Sequence, residues 1–62
     1  MKRNKLIKHL KQHGCQQLRE GANHTVFSNP VNNRQSTVGR HRELSDILCN
    51  KVCQQLGIPK IK

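Results

Sequence analysis

The residues of this chain with the most reactive side chains are its four histidines and three cysteines. His9 and His13 are four residues apart, as are Cys49 and Cys53, and on a helix this spacing brings two side chains to one side, where they could share a Zn²⁺ ion. Burial is the competing explanation for the cysteines, because both fall on the apolar side of a predicted helix and free cysteine is commonly buried. The chain also lacks the C-x-x-C pair of a zinc ribbon. We therefore expect no metal site and three reduced thiols.

Positive charge dominates the composition. Twelve Lys and Arg residues stand against three Asp and Glu, which gives a formal net charge of +9. Such an excess is typical of proteins that bind polyanions, and nucleic acid is the first candidate. A membrane surface is disfavoured, because Phe27 is the single aromatic residue and no predicted helix has an aromatic-rich apolar face.

The scarcity of acidic residues narrows the chemistry that such a protein could perform on RNA. A nuclease that uses bound metal ions needs several convergent carboxylates, and the chain has only Glu20, Glu43 and Asp46. The remaining route is attack by the ribose 2′-OH, which needs a general base, a general acid and cations for the phosphate. Histidine suits both proton transfers because its unperturbed pKa is about 6.5.

With 62 residues the chain is long enough for one domain, 1–62, with a small core. It contains neither the apolar segment of a signal peptide nor a stretch that could span a membrane. We therefore expect a cytoplasmic protein.

The apolar pattern predicts two helices. The first covers 4–13, with Asn4 as its N-cap and Gly14 as its end. The second follows Ser45 as N-cap, ends at Leu56 and is closed by Gly57. Its apolar side is expected to be buried, whereas Ile47 lies outside that side and is a candidate contact for a partner. The residues of this apolar side are Leu48, Cys49, Val52, Cys53 and Leu56.

Between the helices the helical period disappears, and short strands over 15–19, 23–28 and 35–38 fit better. The predicted fold is α+β: an α-β-β-β-α chain with two helices on one face of a three-stranded antiparallel sheet. Alternation along the second strand puts Thr25 and Phe27 on one face and His24 on the other. If Phe27 faces the helices, His24 faces away from them.

The four histidines are therefore not equivalent. His9 and His13 lie on a polar side of the first helix and are expected to be surface residues. His41 lies between two arginines, a cluster suited to a phosphate. A single histidine on a strand is more often structural than catalytic, so composition and alternation alone do not assign a role to His24.

The segment LREGANHTVFSNP, followed by STVGRHRELSDILCNKVCQQLGIPKI, resembles the HicA family, which are toxin ribonucleases of prokaryotic toxin–antitoxin systems. The similarity covers nearly the whole chain, from a first helix of the NKLIKHL type to the final LGIP. The resemblance implies a fold like that of double-stranded-RNA-binding domains, α-β-β-β-α, in agreement with the order predicted from the residues.

The family's Gly-Ser-His turn, whose histidine is needed for mRNA cleavage, falls on Ala22, Asn23 and His24. Only the histidine matches, and we expect Gly21 to supply the backbone freedom that the family's glycine provides. The resemblance also implies a HicB-type antitoxin that binds the toxin and blocks the histidine, with Ile47 and the cationic face as the expected contacts.

The leading hypothesis is thus a type II toxin that cleaves mRNA as a metal-independent endoribonuclease without a cofactor, with His24 as general acid or base. His41 is either a phosphate contact or a second acid–base group, and Lys5 and Lys8 are either ordinary solvated residues or the edge of a phosphate-binding surface. A non-catalytic RNA-binding module and a ribosome-associated structural protein are the alternatives. The predicted RNA contacts are Lys5, Lys8, Arg19, Arg40, His41 and Arg42.

Overall fold

The computed structural model describes residues 1–61. Its elements are, in chain order, α1 (Arg3–Gln12), β1 (Gln16–Glu20), β2 (His24–Asn29), β3 (Arg34–Gly39) and α2 (Asp46–Leu56). The strands form one antiparallel sheet in the order β1-β2-β3. The predicted α-β-β-β-α order and α+β class are confirmed.

The central strand β2 has two different faces. Thr25, Phe27 and Asn29 are buried, whereas His24 is exposed and the residues between them are partly covered. Directly paired residues of antiparallel strands share a face, and Val38 pairs with Thr25 as the neighbouring buried residue of β3. Alternation therefore placed His24 correctly on the face opposite the core.

Both helices cover the face of the sheet that carries Phe27. Leu6 and Leu10 of α1 belong to the same buried cluster as Phe27. The opposite face, which we call the open face, has no helix over it among residues 1–61. The cluster consists of Leu6, Leu10, Cys15, Phe27, Val38, Leu44, Cys49, Val52, Cys53 and Leu56.

Helix α1 has its N-cap two residues earlier than predicted, and Asn4 lies inside the helix. The cap residue is Lys2, whose side chain makes no capping hydrogen bond. The start of the helix is instead held by the segment before α2, because the Arg3 N–H donates to the Arg42 carbonyl at 2.9 Å. A long-range contact thus replaces the local cap that the sequence predicted.

Strand β1 also departs from the prediction. It runs over Gln16–Glu20 rather than 15–19, all five residues are exposed, and the ladder to β2 is irregular between Gln17 and Arg19. Cys15 precedes the strand and is buried in the core. Irregular pairing is common in edge strands, and β1 has no buried residue to mark it in the sequence.

Helix α2 matches its prediction at both ends. The Ser45 hydroxyl accepts the Leu48 N–H at 3.1 Å, and Gly57 closes the helix with a φ of 71°, a conformation that favours glycine. Leu48 is 41% exposed, so its predicted burial is wrong: it lies at the margin of the apolar side. Ile47 is 83% exposed, as expected for a residue outside that side.

Two asparagines fasten the turn between β2 and β3 to the end of α2. The Asn29 amide donates to the Leu56 carbonyl at 2.8 Å and the Asn32 amide donates to the same oxygen at 3.0 Å. The buried Asn29 side chain also accepts the Val31 N–H at 3.1 Å. The two bonds to Leu56 satisfy one of the carbonyls that the end of a helix leaves without an intrahelical partner.

We predict that Asn29→Ala lowers the free energy of unfolding by about 1–3 kcal/mol, because it removes hydrogen bonds from both the amide nitrogen and the oxygen of a buried side chain. Urea unfolding followed by circular dichroism measures the effect. Gln54→Ala on the exposed side of α2 is the control and should change stability by less than about 0.5 kcal/mol. Equal effects of the two substitutions would contradict the prediction.

Candidate functional site

His24 is the first residue of β2, and its exposed side chain lies at the end of the open face. The turn before it is closed by the Gly21 N–H, which donates to the His24 carbonyl at 2.7 Å. Neither Gly21 nor Ala22 has a positive φ. The expectation that Gly21 supplies left-handed backbone freedom is therefore wrong, and Ala22 fits the turn without conformational strain.

The presence of glycine at position 21 has a different physical reason. A Cβ atom there would lie 3.3 Å from the His24 carbonyl oxygen, which is a tight contact next to the hydrogen bond that closes the turn. Gly21 is thus favoured by the close approach of two backbone segments rather than by its own dihedral angles.

Arg40 holds the same turn from β3's side of the sheet. Its Nη1 donates to the Gly21 carbonyl at 2.9 Å and lies 3.3 Å from Glu20 Oε2. Both side chains of this ion pair are about half exposed, so the pair contributes little to stability. Its effect is on position, because it ties the turn that carries His24 to the segment that follows β3.

Arg3 fixes the neighbourhood of His24 from the helix side. Its Nε donates to the Gly39 carbonyl at 2.9 Å and its Nη2 donates to Thr25 Oγ1 at 2.8 Å. Thr25 follows His24 in β2, and Gly39 is the residue of β3 that pairs with His24. The sequence did not reveal this role, because nothing local distinguishes Arg3 from the other cations of a basic chain.

A depression at the end of the sheet brings His24 and His41 together. We call it the histidine depression, and Gly39, which pairs with His24 in the ladder between β2 and β3, also lines it. Arg40 contributes positive charge to its wall. The residues that line it are Ala22, Asn23, His24, Gly39, Arg40 and His41.

A second depression reaches His24 across the open face. Arg19 pairs with Val26 in the ladder between β1 and β2, and Val26 pairs with Thr37 of β3. These three side chains form a row next to His24 and line a shallow depression with it. The structure therefore places the predicted RNA contact Arg19 beside the histidine.

A third concavity, which we call the basic groove, extends from Arg40 toward α1. It brings the predicted contacts Arg40 and Arg42 together with Lys2 and Arg3, which the sequence had not singled out. Four of its residues are cations and one is an acid. Its lining consists of Lys2, Arg3, Asn4, Arg40, Arg42 and Glu43.

Lys5 and Lys8 lie away from the histidine. Both are exposed on α1, and Lys5 lines a separate depression that also contains Glu43 and Asp46. Lys8 lies about one helical turn further along α1. Phosphate contacts by these two lysines stay a prediction for the edge of the surface.

The other two histidines and the cysteines are arranged differently. Within residues 1–61 no three His, Cys, Asp or Glu residues come close enough to share a metal ion. His9 Nε2 forms a hydrogen bond with the Pro59 carbonyl at 2.8 Å, and its ring centroid lies 4.6 Å from that of His13. This pair joins the end of α1 to the segment after α2, away from the histidine depression.

The three thiols are free and buried. Burial raises the pKa of Cys15, Cys49 and Cys53 above the ordinary thiol value, because desolvation disfavours the thiolate. The folded protein thus keeps protons that the unfolded chain loses, and its stability falls as the pH rises past about 8.5. Buried and protonated thiols are poor nucleophiles.

We predict that iodoacetamide at about pH 8 leaves all three cysteines of the native protein unmodified. In denaturant the same reagent should add to each of them. Mass spectrometry counts the adducts. Labelling of the native protein as fast as that of the denatured protein would show that the thiols are accessible.

The element order and the packing of both helices on one face of a three-stranded antiparallel sheet define a small α+β domain. The family model described as the HicA toxin of bacterial toxin–antitoxin systems matches residues 3–58. The chain therefore belongs to the HicA toxin family, as the sequence resemblance predicted. It is a toxin of a toxin–antitoxin system, and the family implies a cognate antitoxin as its partner.

Comparison with curated proteins and with solved structures gave no significant match. In the part of the chain that the structure describes, neither helix is both long and apolar enough to cross a membrane.

Proposed function

We propose that this toxin is a metal-independent endoribonuclease that cleaves mRNA, with His24 as a general acid or base. The observation that carries the proposal is the position of His24: its exposed side chain lines two depressions, one with Arg40 and His41 and the other with Arg19. A phosphodiester bound there would lie beside the His24 imidazole and near the cationic side chains of Arg19 and Arg40.

The chemistry follows from the groups available at this site. RNA carries its own nucleophile, the 2′-OH, so cleavage needs removal of the 2′-OH proton, a proton for the leaving 5′ oxygen and positive charge around the phosphorane. Histidine can accept or donate a proton near neutral pH. The products of such a reaction are a 2′,3′-cyclic phosphate and a 5′-OH end.

The surrounding charge supports an RNA strand as the substrate. The basic groove shares Arg40 with the histidine depression, so a strand whose scissile phosphate lies beside His24 can continue past Arg40 to Arg42. Cations in this arrangement neutralise successive phosphates without reading bases. His41, Lys5 and Lys8 complete the proposed set of contacts.

The partner and the location follow from the same proposal. We propose a HicB-type antitoxin that covers the histidine depression, and mRNA as the substrate places the reaction in the cytoplasm. Ile47, with 83% of its surface exposed at the start of α2, is the apolar side chain that we expect to contact the antitoxin.

For the first test, purified toxin and a His24→Ala variant are incubated with RNA in EDTA. We expect the parent to cleave, and we expect the rate of the variant to be lower by a factor of about 10² to 10⁴, the usual contribution of a general acid or base. His13→Ala, which removes another exposed histidine, is the control and should cleave like the parent.

Two results would contradict the mechanism. They are cleavage by His24→Ala at the parent rate, and loss of all cleavage on addition of EDTA. If the parent binds RNA without turnover, the alternative of a non-catalytic RNA-binding module is correct. Arrest of growth on expression of the parent, but not of His24→Ala, is the matching result in cells.

For the second test, Arg42→Ala removes a cation of the basic groove that does not line the histidine depression. We expect KM to rise with kcat nearly unchanged, because the lost contact holds ground state and transition state alike. The slope of the logarithm of the RNA-binding constant against the logarithm of salt concentration should become less steep by about 0.7, the value for one phosphate of single-stranded RNA. Lys51→Ala, on the exposed side of α2, is the control, and an equal change there would remove the groove from the proposal.

A further inference from the structure

The histidine depression contains a second imidazole that the proposed function has so far used only as a contact. His41 is exposed and lines the depression together with His24. The two residues are 17 positions apart and come from different segments, His24 from the start of β2 and His41 from the segment after β3.

Gly39 explains why there is room between them. It pairs with His24 across the ladder, so a side chain at position 39 would point to the same face as His24. A Cβ atom there would lie 3.9 Å from Cδ2 of His41. The absence of a side chain at position 39 thus adds space to the depression that His24 and the His41 ring both line.

The backbone under this space is held from two directions. Arg3 donates to the Gly39 carbonyl at 2.9 Å, and Arg40 donates to the Gly21 carbonyl at 2.9 Å. Both histidine segments are therefore fastened by arginines that each donate to a backbone carbonyl oxygen. Charged groups that line the depressions beside the two histidines are Arg19 from β1 and Arg40 after β3, and Glu20 is paired with Arg40.

We infer that His24 and His41 divide the two proton transfers of RNA cleavage between them, one as general base and the other as general acid. This inference rests on the proposed endoribonuclease function and deepens it by adding His41 as a catalytic residue. His9 and His13 take no part, because they lie at the end of α1 and His9 is bonded to Pro59.

The atoms of the step balance without a further reactant. The neutral imidazole accepts the 2′-OH proton while the 2′ oxygen forms a bond to phosphorus. The bond between phosphorus and the 5′ oxygen breaks, and the protonated imidazole gives its proton to that oxygen. The products are a 2′,3′-cyclic phosphate, a 5′-OH and two imidazoles with exchanged protonation states, which solvent resets.

The test compares two RNA oligonucleotides of the same sequence, one natural and one with sulfur in place of the bridging 5′ oxygen at the cleavage site. A thiolate leaves without a proton, so the second substrate no longer needs the general acid. Parent, His24→Ala, His41→Ala and the control His13→Ala are assayed on both, with kcat and KM determined separately. Circular dichroism checks that each variant is folded.

We expect both His24→Ala and His41→Ala to lose about 10² or more in kcat on natural RNA. On the sulfur substrate one of the two variants, and not the other, should recover to near the rate of the parent on that substrate. The variant that recovers is the one that lacks the general acid. The pH profile of kcat/KM should be bell-shaped for the parent and should lose one limb in each variant.

Three results would overturn the inference while leaving the proposed function intact. They are parent-like kcat for His41→Ala, a rise in KM alone for that variant, which would make His41 a phosphate contact, and recovery of neither variant on the sulfur substrate. If the parent cleaves neither substrate, the proposed function is wrong and the inference is wrong with it.

Discussion

The burial of Phe27 is the constraint on which the arrangement of this domain depends. Phe27 is fully buried in the middle of the central strand, in a cluster that contains side chains from both helices. Because side chains alternate along a strand, this burial directs Thr25 and Asn29 inward and leaves His24 on the open face. The one aromatic side chain of the protein thus determines which face packs and which face meets solvent and ligands.

The small core is supplemented by polar bonds between distant segments. Asn29 and Asn32 bind the end of α2 to the turn between β2 and β3, and Arg3 binds α1 to the ends of two strands. Arg40 performs a similar task at the turn before His24. Because each of these arginines donates to a backbone carbonyl, part of the positive charge of the domain holds the structure together while it also contributes to the field around His24.

Segments far apart in sequence meet at one end of the sheet and form the candidate site there. β1 contributes Arg19, β2 contributes His24, and the segment after β3 contributes Arg40 and His41. The basic groove then connects this end of the sheet to Arg42 and the start of α1. For a toxin, an accessible site of this kind is consistent with control by a partner that covers it.

Several features were determined by the sequence alone, because the forces behind them act between near neighbours. They are the order of elements, the cap and the end of α2, and the face on which His24 lies. Tertiary structure decided the rest. The start of α1 is held by Arg42 rather than by a local cap, β1 is an exposed and irregular edge strand without a burial pattern, and Leu48 lies at the margin of the core rather than inside it. The meeting of His24 with His41 and Arg19, and the separation of Lys5 from them, depend on how the strands pair and how α1 crosses the sheet. Contacts such as that of Arg3 with Gly39 span 36 residues, and no local pattern records them.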